Sequence, residues 1–221
     1  MSLQEKLDAF KAEVESGKIP GFAVDALHKG TDELIASGQA ERAKKVGEQA
    51  PLFTLDDADG RAVALADLLA SGPVVLTFYR GVWCPYCNME LQALEEVRSD
   101  IETRGARLVA LSMQTATQSR KSVRQNKLGF PILVDPHGEI SHAYGLRFSF
   151  PDYLIDVFKT VFGNDLAVIN GDPAWSLPMP ARYVIRQDGV IVYAEVNPDY
   201  TRRPEPTELL PVLDRLSALV G

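Results

Sequence analysis

Val74 to Leu91 reads VVLTFYRGVWCPYCNMEL, and it holds both cysteines of the 221-residue chain. Val74 to Tyr79 is too short for a helix and rich in β-branched and aromatic residues, the composition of a strand buried on both faces. Arg80-Gly81 breaks the run. From Met89 the apolar residues Leu91, Leu94 and Val97 recur at helical spacing, and Gly105 stops the pattern, so a helix is expected over Met89 to Arg104. The stretch therefore reads strand, tight loop, helix, with Cys84 and Cys87 at the junction.

The flanking sequence extends this alternation. Upstream, APLFTLDDADGRAVALADLLASG reads as a strand, a turn at Asp59-Gly60, a second strand and a short helix. Downstream come a buried strand (Arg107 to Leu111), a polar-faced helix (Ala116 to Lys127) and a short strand (Pro131 to Val134). One helix is expected within residues 146–176. Tyr183 to Arg186 and Val190 to Ala194 flank Asp188-Gly189, a hairpin signal. Thr207 is expected to cap a closing helix that runs to Val220. Strands alternating with helices predict an α/β fold, and the late hairpin makes its central sheet mixed.

Residues 1–45 read differently. Leu3, Leu7, Phe10 and Val14 recur at helical spacing, Gly17 and Pro20 end that helix, and a second runs from about Ala23 to Lys44 across Gly30. This N-terminal helical extension precedes a domain over 46–221. It is expected to cover a core or a neighbouring subunit and to stand outside the active site.

A thiolate, not a thiol, is the nucleophile in cysteine chemistry. Cys84 begins a helix, where free backbone N–H groups and the helix dipole favour an anion, and Pro85 suits the first turn. Cys87 lies one turn on, along the same face. Cys84 is thus the expected attacking thiol, facing solvent, and Cys87 the one that resolves it. Two other readings compete: a pair of inert buried cysteines, and a zinc site completed by His137 and His142. Against zinc, 49 residues lie between Cys87 and His137, where a finger has roughly a dozen. His137 and His142 are then loop and helix-surface residues. Trp83 is expected to shield the thiol.

Bulk properties narrow the class. The chain is 46% hydrophobic and 24% charged, as in ordinary globular proteins, and its net charge of -7 disfavours nucleic acid as a partner. No run approaches a membrane span and the N-terminus lacks an apolar leader, so the expected location is cytoplasmic. There a close cysteine pair is more often redox-active or metal-binding than structural.

Five segments in order resemble the peroxiredoxin-like branch of the alkyl hydroperoxide reductase and thiol-specific antioxidant (AhpC/TSA) family: GEQAPLFTLDDADGRAVALADL, GPVVLTFYRGVWCPYCNMELQALEEV, GARLVALSMQT, FPILVD and LPMPARYVIRQDGVIVYAEVNPDYTRRPEP. The resemblance implies a thioredoxin-like fold and thiol-dependent reduction of hydrogen peroxide or organic hydroperoxides, with Cys84 as the peroxidatic residue and a Cys84–Cys87 disulfide. It implies an arginine near the cysteine, for which Arg182 and Arg80 are the candidates, and a cis-proline at Met179-Pro180 opposite the cysteine loop. It implies a thioredoxin or glutaredoxin-type dithiol reductant, no metal or organic cofactor, and leaves room for a homodimer. One departure matters. Typical members carry a proline and a threonine before the cysteine, whereas Gly81 stands three residues before Cys84 and the loop has no proline. That loop resembles thioredoxins and glutaredoxins instead, so disulfide exchange is a rival activity, and a redox sensor a third reading.

Overall fold

The computed structural model describes residues 1–218. Its centre is a five-stranded mixed sheet of order β5-β4-β3-β8-β9. The strands are β3 (Val74–Phe78), β4 (Arg107–Ser112), β5 (Ile132–Val134), β8 (Ala181–Ile185) and β9 (Ile191–Val196). The pairs β3–β4 and β4–β5 are parallel, while β3–β8 and β8–β9 are antiparallel. Every residue of β3 is buried, as its composition requires. Its side chains alternate between two cores. Val75 joins one layer with Leu91, Leu94 and Leu213, and Val74, Leu76 and Phe78 join the other with Leu65, Tyr144 and Tyr183. A small hairpin of β1 (Thr54–Asp56) and β2 (Ala62–Ala64) leads into α3 (Leu65–Ser71).

Several expectations about elements change. The helix after the cysteines is two, α4 (Pro85–Glu96) and α5 (Arg98–Thr103), because Val97 leaves helical geometry at φ -102, ψ 4. Residues 146–176 hold more than one helix. A two-stranded sheet of β6 (Arg147–Ser149) and β7 (Ser176–Pro178) brackets α8 (Asp152–Thr160) and α9 (Leu166–Asn170). There the scattered aromatic residues build a satellite core around Phe150, Phe158 and Leu177. The closing helix α10 is Leu209–Ser217, and Thr207 lies inside a 3-10 turn that begins under Glu205 rather than capping the helix. Val220 lies outside the described residues. The remaining helices are α6 (Ala116–Asn126) and α7 (Glu139–Ala143).

The N-terminal residues form α1 (Leu3–Glu13), capped by a Ser2/Glu5 capping box, and α2 (Gly21–Ala36), which stops short of the expected Lys44 because Gly38 takes a left-handed conformation at φ 65 before a separate 3-10 turn at Gln39–Arg42. Leu3 and Leu7 are buried in the same core as Cys84 and Cys87. Helix α2 crosses α8 closely at Gly30, where a Cβ would lie 2.5 Å from Leu154 Cδ1. The glycine is there for close packing, so the helix runs through it.

Candidate active site

Cys84 is the N-cap residue of α4 and Pro85 its first helical residue. The loop before it is tied down from two sides. Gln114 Oε1 accepts the N–H of Val82 at 3.0 Å, and Asn88 Nδ2 donates to the Val82 carbonyl at 2.7 Å. Gly81 sits at φ 149, and a Cβ there would meet Trp83 Nε1 at 2.5 Å. Only glycine permits the indole to fold back over the loop in this way. Trp83 then stacks edge-on against Phe158 at 5.2 Å.

Cys84 is 1% exposed, so it does not face bulk solvent as the sequence reading expects; it forms part of the wall of a cavity of about 630 Å³. Cys87 is fully buried. The two thiols are electrostatically unequal. Burial pushes Cys84 up, but the Cys87 thiol that donates to it, together with the charges of Arg80 and Arg203, brings it down to about 6. Burial, with the negative charge on Cys84, drives Cys87 well above the usual thiol range. One thiolate and one thiol is the expected state of such a pair near neutral pH.

Two buried arginines, Arg80 and Arg203, act on the pair, and a third, Arg182, lies behind them. Arg80 is 4% exposed, and its guanidinium carbon lies 4.0 Å from the Tyr200 ring centroid and 4.9 Å from that of Trp83. Its Nε has no acceptor, and no carboxylate pairs with it among the described residues. The Cys84 thiolate is the negative charge available to it. Arg203 donates from Nη2 to Cys87 Sγ at 3.7 Å and from Nε to Glu90. Arg182, the arginine singled out by the resemblance, is fully buried on β8 and donates to Glu90 Oε1 at 2.8 Å and to the Pro204 carbonyl at 3.3 Å. It does not line the cavity. Its place is behind Glu90, holding the carboxylate that in turn holds Arg203.

Arg203 is therefore a site residue that the sequence reading missed. The signal was the paired arginines of YTRRPEP after the last strand. Nothing local connects them to a cysteine 116 residues earlier.

The N-terminal helices also take part, which corrects the expectation that they stand outside the site. Phe10, Val14, Ile19 and Leu27 line the cavity above Cys84. Phe10 packs edge-on against Tyr86 at 5.3 Å, and Tyr86 against Tyr200 at 5.5 Å. Gln4 accepts the backbone N–H of Arg203 at 2.9 Å and donates to the Thr201 carbonyl at 3.3 Å, so α1 seats the turn that carries Arg203.

Two further expectations are placed as follows. Met179-Pro180 precedes β8, whose Ala181 pairs with Phe78 at the end of β3, so the proline lies beside the cysteine loop, but its peptide bond is trans rather than cis. His137 is exposed and bonds Asp172 at 2.7 Å, and His142 lies in α7, so neither stands with the cysteines in a ligand cluster among the described residues.

Comparison with known proteins places this geometry in a family. Residues 46–194 match the AhpC/TSA family. The chain belongs to that family. The thiol-disulfide oxidoreductase ResA of Bacillus thuringiensis subsp. konkukian (strain 97-27) is 32% identical over 117 residues, 52% of this chain and 66% of that protein. The chain thus spans just under two thirds of the length of that relative. A Mycobacterium tuberculosis protein named as a peroxiredoxin is 28% identical over 151 residues, 68% of this chain and 84% of its own length. The crystal structure of peroxidoxin BcpB from Mycobacterium tuberculosis superposes with a TM-score of 0.61 at 20% identity, over 79% of this chain and 97% of the other. That likeness shows the fold, which is thioredoxin-like. The family profile begins at residue 46, after the two helices that line the cavity.

Proposed function

We propose that this protein is a thiol peroxidase, with Cys84 as peroxidatic and Cys87 as resolving cysteine. The observation that carries the reading is a thiolate held at about 6 yet 1% exposed, reached through a cavity with an unpaired guanidinium beside it. A small hydroperoxide can enter such a site and meet both the nucleophile and a cation suited to the charge that develops on oxygen. A folded protein's disulfide has poorer access to the sulfur.

The cycle balances within the pair and one external dithiol. The Cys84 thiolate attacks the distal peroxide oxygen, the O–O bond breaks, sulfur is oxidised to sulfenic acid, and the departing alkoxide takes a proton to become an alcohol, or water if the substrate is hydrogen peroxide. Cys87 then displaces hydroxide from the sulfenic sulfur, giving the disulfide and water. A dithiol protein of the thioredoxin or glutaredoxin kind restores both thiols. The electrostatics favour this order. While Cys84 is an anion it holds Cys87 protonated. Once Cys84 is a neutral sulfenic acid that repulsion is gone, and Arg203 remains 3.7 Å from Cys87 Sγ to support its ionisation. The proposal carries with it a reducing compartment such as the cytoplasm.

A second reading, thiol-disulfide exchange, is favoured by the C-P-Y-C loop and by the likeness to ResA. Two assays on one sample separate them. A peroxidase consumes peroxide in the presence of a thioredoxin system, with saturable dependence on thioredoxin, and reduces insulin disulfides slowly. The opposite ranking would overturn the proposal.

A further inference from the structure

On the peroxidase reading, we infer that Glu90 is a positioning residue for the resolving step: it holds the Arg203 guanidinium on Cys87 and keeps it from the Cys84 thiolate. Glu90 follows Cys87 by three residues on α4, so the two side chains stand on one face, and both are buried. Arg203 spans them. Its Nε donates to Glu90 Oε2 and its Nη2 to Cys87 Sγ at 3.7 Å. A guanidinium is a planar fork, so fixing Nε on one acceptor fixes the direction of Nη2.

The surroundings fasten both ends of this contact. Arg182 donates from Nη2 to the other carboxylate oxygen, Glu90 Oε1, at 2.8 Å, and from Nη1 to the Pro204 carbonyl at 3.3 Å, one residue past Arg203. Glu195 and Glu208 also face this cluster, with Tyr193 beside them and Tyr79 on the Cys87 side. Neither of those two carboxylates pairs with Arg203 among the described residues.

Charge explains why a holder is needed. In the reduced pair, a free guanidinium is drawn to the Cys84 thiolate more than to the neutral Cys87 thiol. Yet the contact it makes is with Cys87. Arg80 acts on Cys84 more strongly than Arg203 does, and Arg203 acts on Cys87 more strongly than Arg80 does. Each sulfur has its own cation, and the Glu90 carboxylate is the group that keeps the two apart.

The division matters after the first oxidation. Cys87 attacks the sulfenic sulfur as a thiolate: the S–S bond forms, the S–O bond breaks, and the proton given up by Cys87 ends on the departing hydroxide as water. The guanidinium accepts no proton; it supports the negative charge on Cys87 while the proton leaves. Both Glu90 oxygens already accept from arginines, so the carboxylate acts through Arg203 rather than as a base on Cys87.

The test uses Glu90→Gln, which keeps the shape and removes the charge. Reduced full-length protein is mixed with hydrogen peroxide and quenched at intervals into a dimedone reagent, and intact mass gives the lifetime of the sulfenic acid on Cys84. That lifetime should lengthen at least tenfold in Glu90→Gln. The first oxidation at pH 7 should stay within twofold of native, because Cys84 is already mostly ionised there. The pH midpoint for alkylation of Cys84 should fall, since the released guanidinium turns to the thiolate. A loss of packing alone would slow both steps and raise that midpoint. Circular dichroism reports whether the variant is folded. Glu90→Asp keeps the charge but withdraws it by one methylene, so it decides the question if Glu90→Gln does not fold; its sulfenic acid should live at least threefold longer than in the native protein. A native lifetime in a folded variant, or a raised Cys84 midpoint in folded Glu90→Gln, overturns the role of Glu90 and leaves the peroxidase reading standing. No oxidation of the native protein by peroxide overturns both.

Discussion

Arg203 Nη2 lies 3.7 Å from Cys87 Sγ, and the same guanidinium is bonded to Glu90, which Arg182 holds from the other side. The redox pair is thus joined to the sheet through a buried chain of charges from Cys87 to Arg203, Glu90 and Arg182. The positive end faces the thiols.

Replacing Arg203 by Met removes one of the two charges that lower Cys84. The alkylation rate of Cys84 with iodoacetamide should be half-maximal near pH 6 in the native protein, since the thiol is held at about 6. In Arg203→Met that midpoint should rise by about one unit or more, equivalent to ~1.4 kcal/mol of lost interaction. Arg203→Lys keeps the charge and should restore most of the shift. An unmoved midpoint in Arg203→Met would show that the Cys87 thiol and Arg80 hold the thiolate without Arg203.

Gln4 tests how far α1 reaches into the site. Its side chain accepts from the Arg203 backbone and donates to the Thr201 carbonyl. Gln4→Ala leaves those two groups to find new partners, at a cost of about 1–3 kcal/mol for buried polar groups. The alkylation midpoint should move in the same direction as in Arg203→Met but by less, because the guanidinium is loosened rather than removed. A change in thermal stability with no change in midpoint would make Gln4 a structural residue alone.

These two variants mark the boundary of what the sequence makes legible. The buried strand at Val74–Phe78, the cysteines at a helix start, and the hairpin at Asp188-Gly189 follow from patterns only a few residues long. So does the unequal pair, because a helix N-cap and a position one turn later differ by local geometry. Arg203, Glu90 and Arg182 are joined by contacts 92 and 113 residues apart, and no local pattern announces them. The amphipathic faces of α1 and α2 were visible, but not what they cover. The stretch from Phe148 to Trp175 misleads for another reason. Its aromatic residues form their own small core, which allows two short helices in place of one longer one.

Glu195 offers a stability measurement. It pairs across the sheet with Arg182, yet burial raises it to about 7. A carboxyl raised in the folded state is bound to its proton more tightly there than in the unfolded chain. Its contribution therefore falls as pH rises from the unfolded value of about 4.3 through 7, and above that the fold bears the cost of an ionised buried acid. The native protein should lose stability between pH 5 and 8 relative to Glu195→Gln, by about 2 kcal/mol, as read from urea midpoints at the two pH values. A parallel pH dependence in both proteins would mean that Glu195 is ionised without penalty.

The cysteines themselves carry the most direct prediction. Cys84→Ser should abolish reaction with peroxide, because Cys87 is fully buried and, unlike Cys84, does not line the cavity. Cys87→Ser should still be oxidised once. The sulfenic acid left on Cys84 then has no thiol to condense with, so a dimedone reagent should label it stoichiometrically, and turnover with a dithiol reductant should fall by at least tenfold. The first oxidation in Cys87→Ser should be somewhat slower than in the native protein at pH 6 and closer to it at pH 8. The reason is that the Cys87 thiol donates to the Cys84 thiolate and helps to hold it low. A serine hydroxyl replaces that donor imperfectly, so the Cys84 midpoint should rise and less thiolate be present at the lower pH. Mass spectrometry of the intact protein, which separates a gain of one oxygen from the loss of two hydrogens, distinguishes sulfenic acid from disulfide. Sulfenic acid on Cys87 in the Cys84→Ser protein would reverse the assignment of the nucleophile.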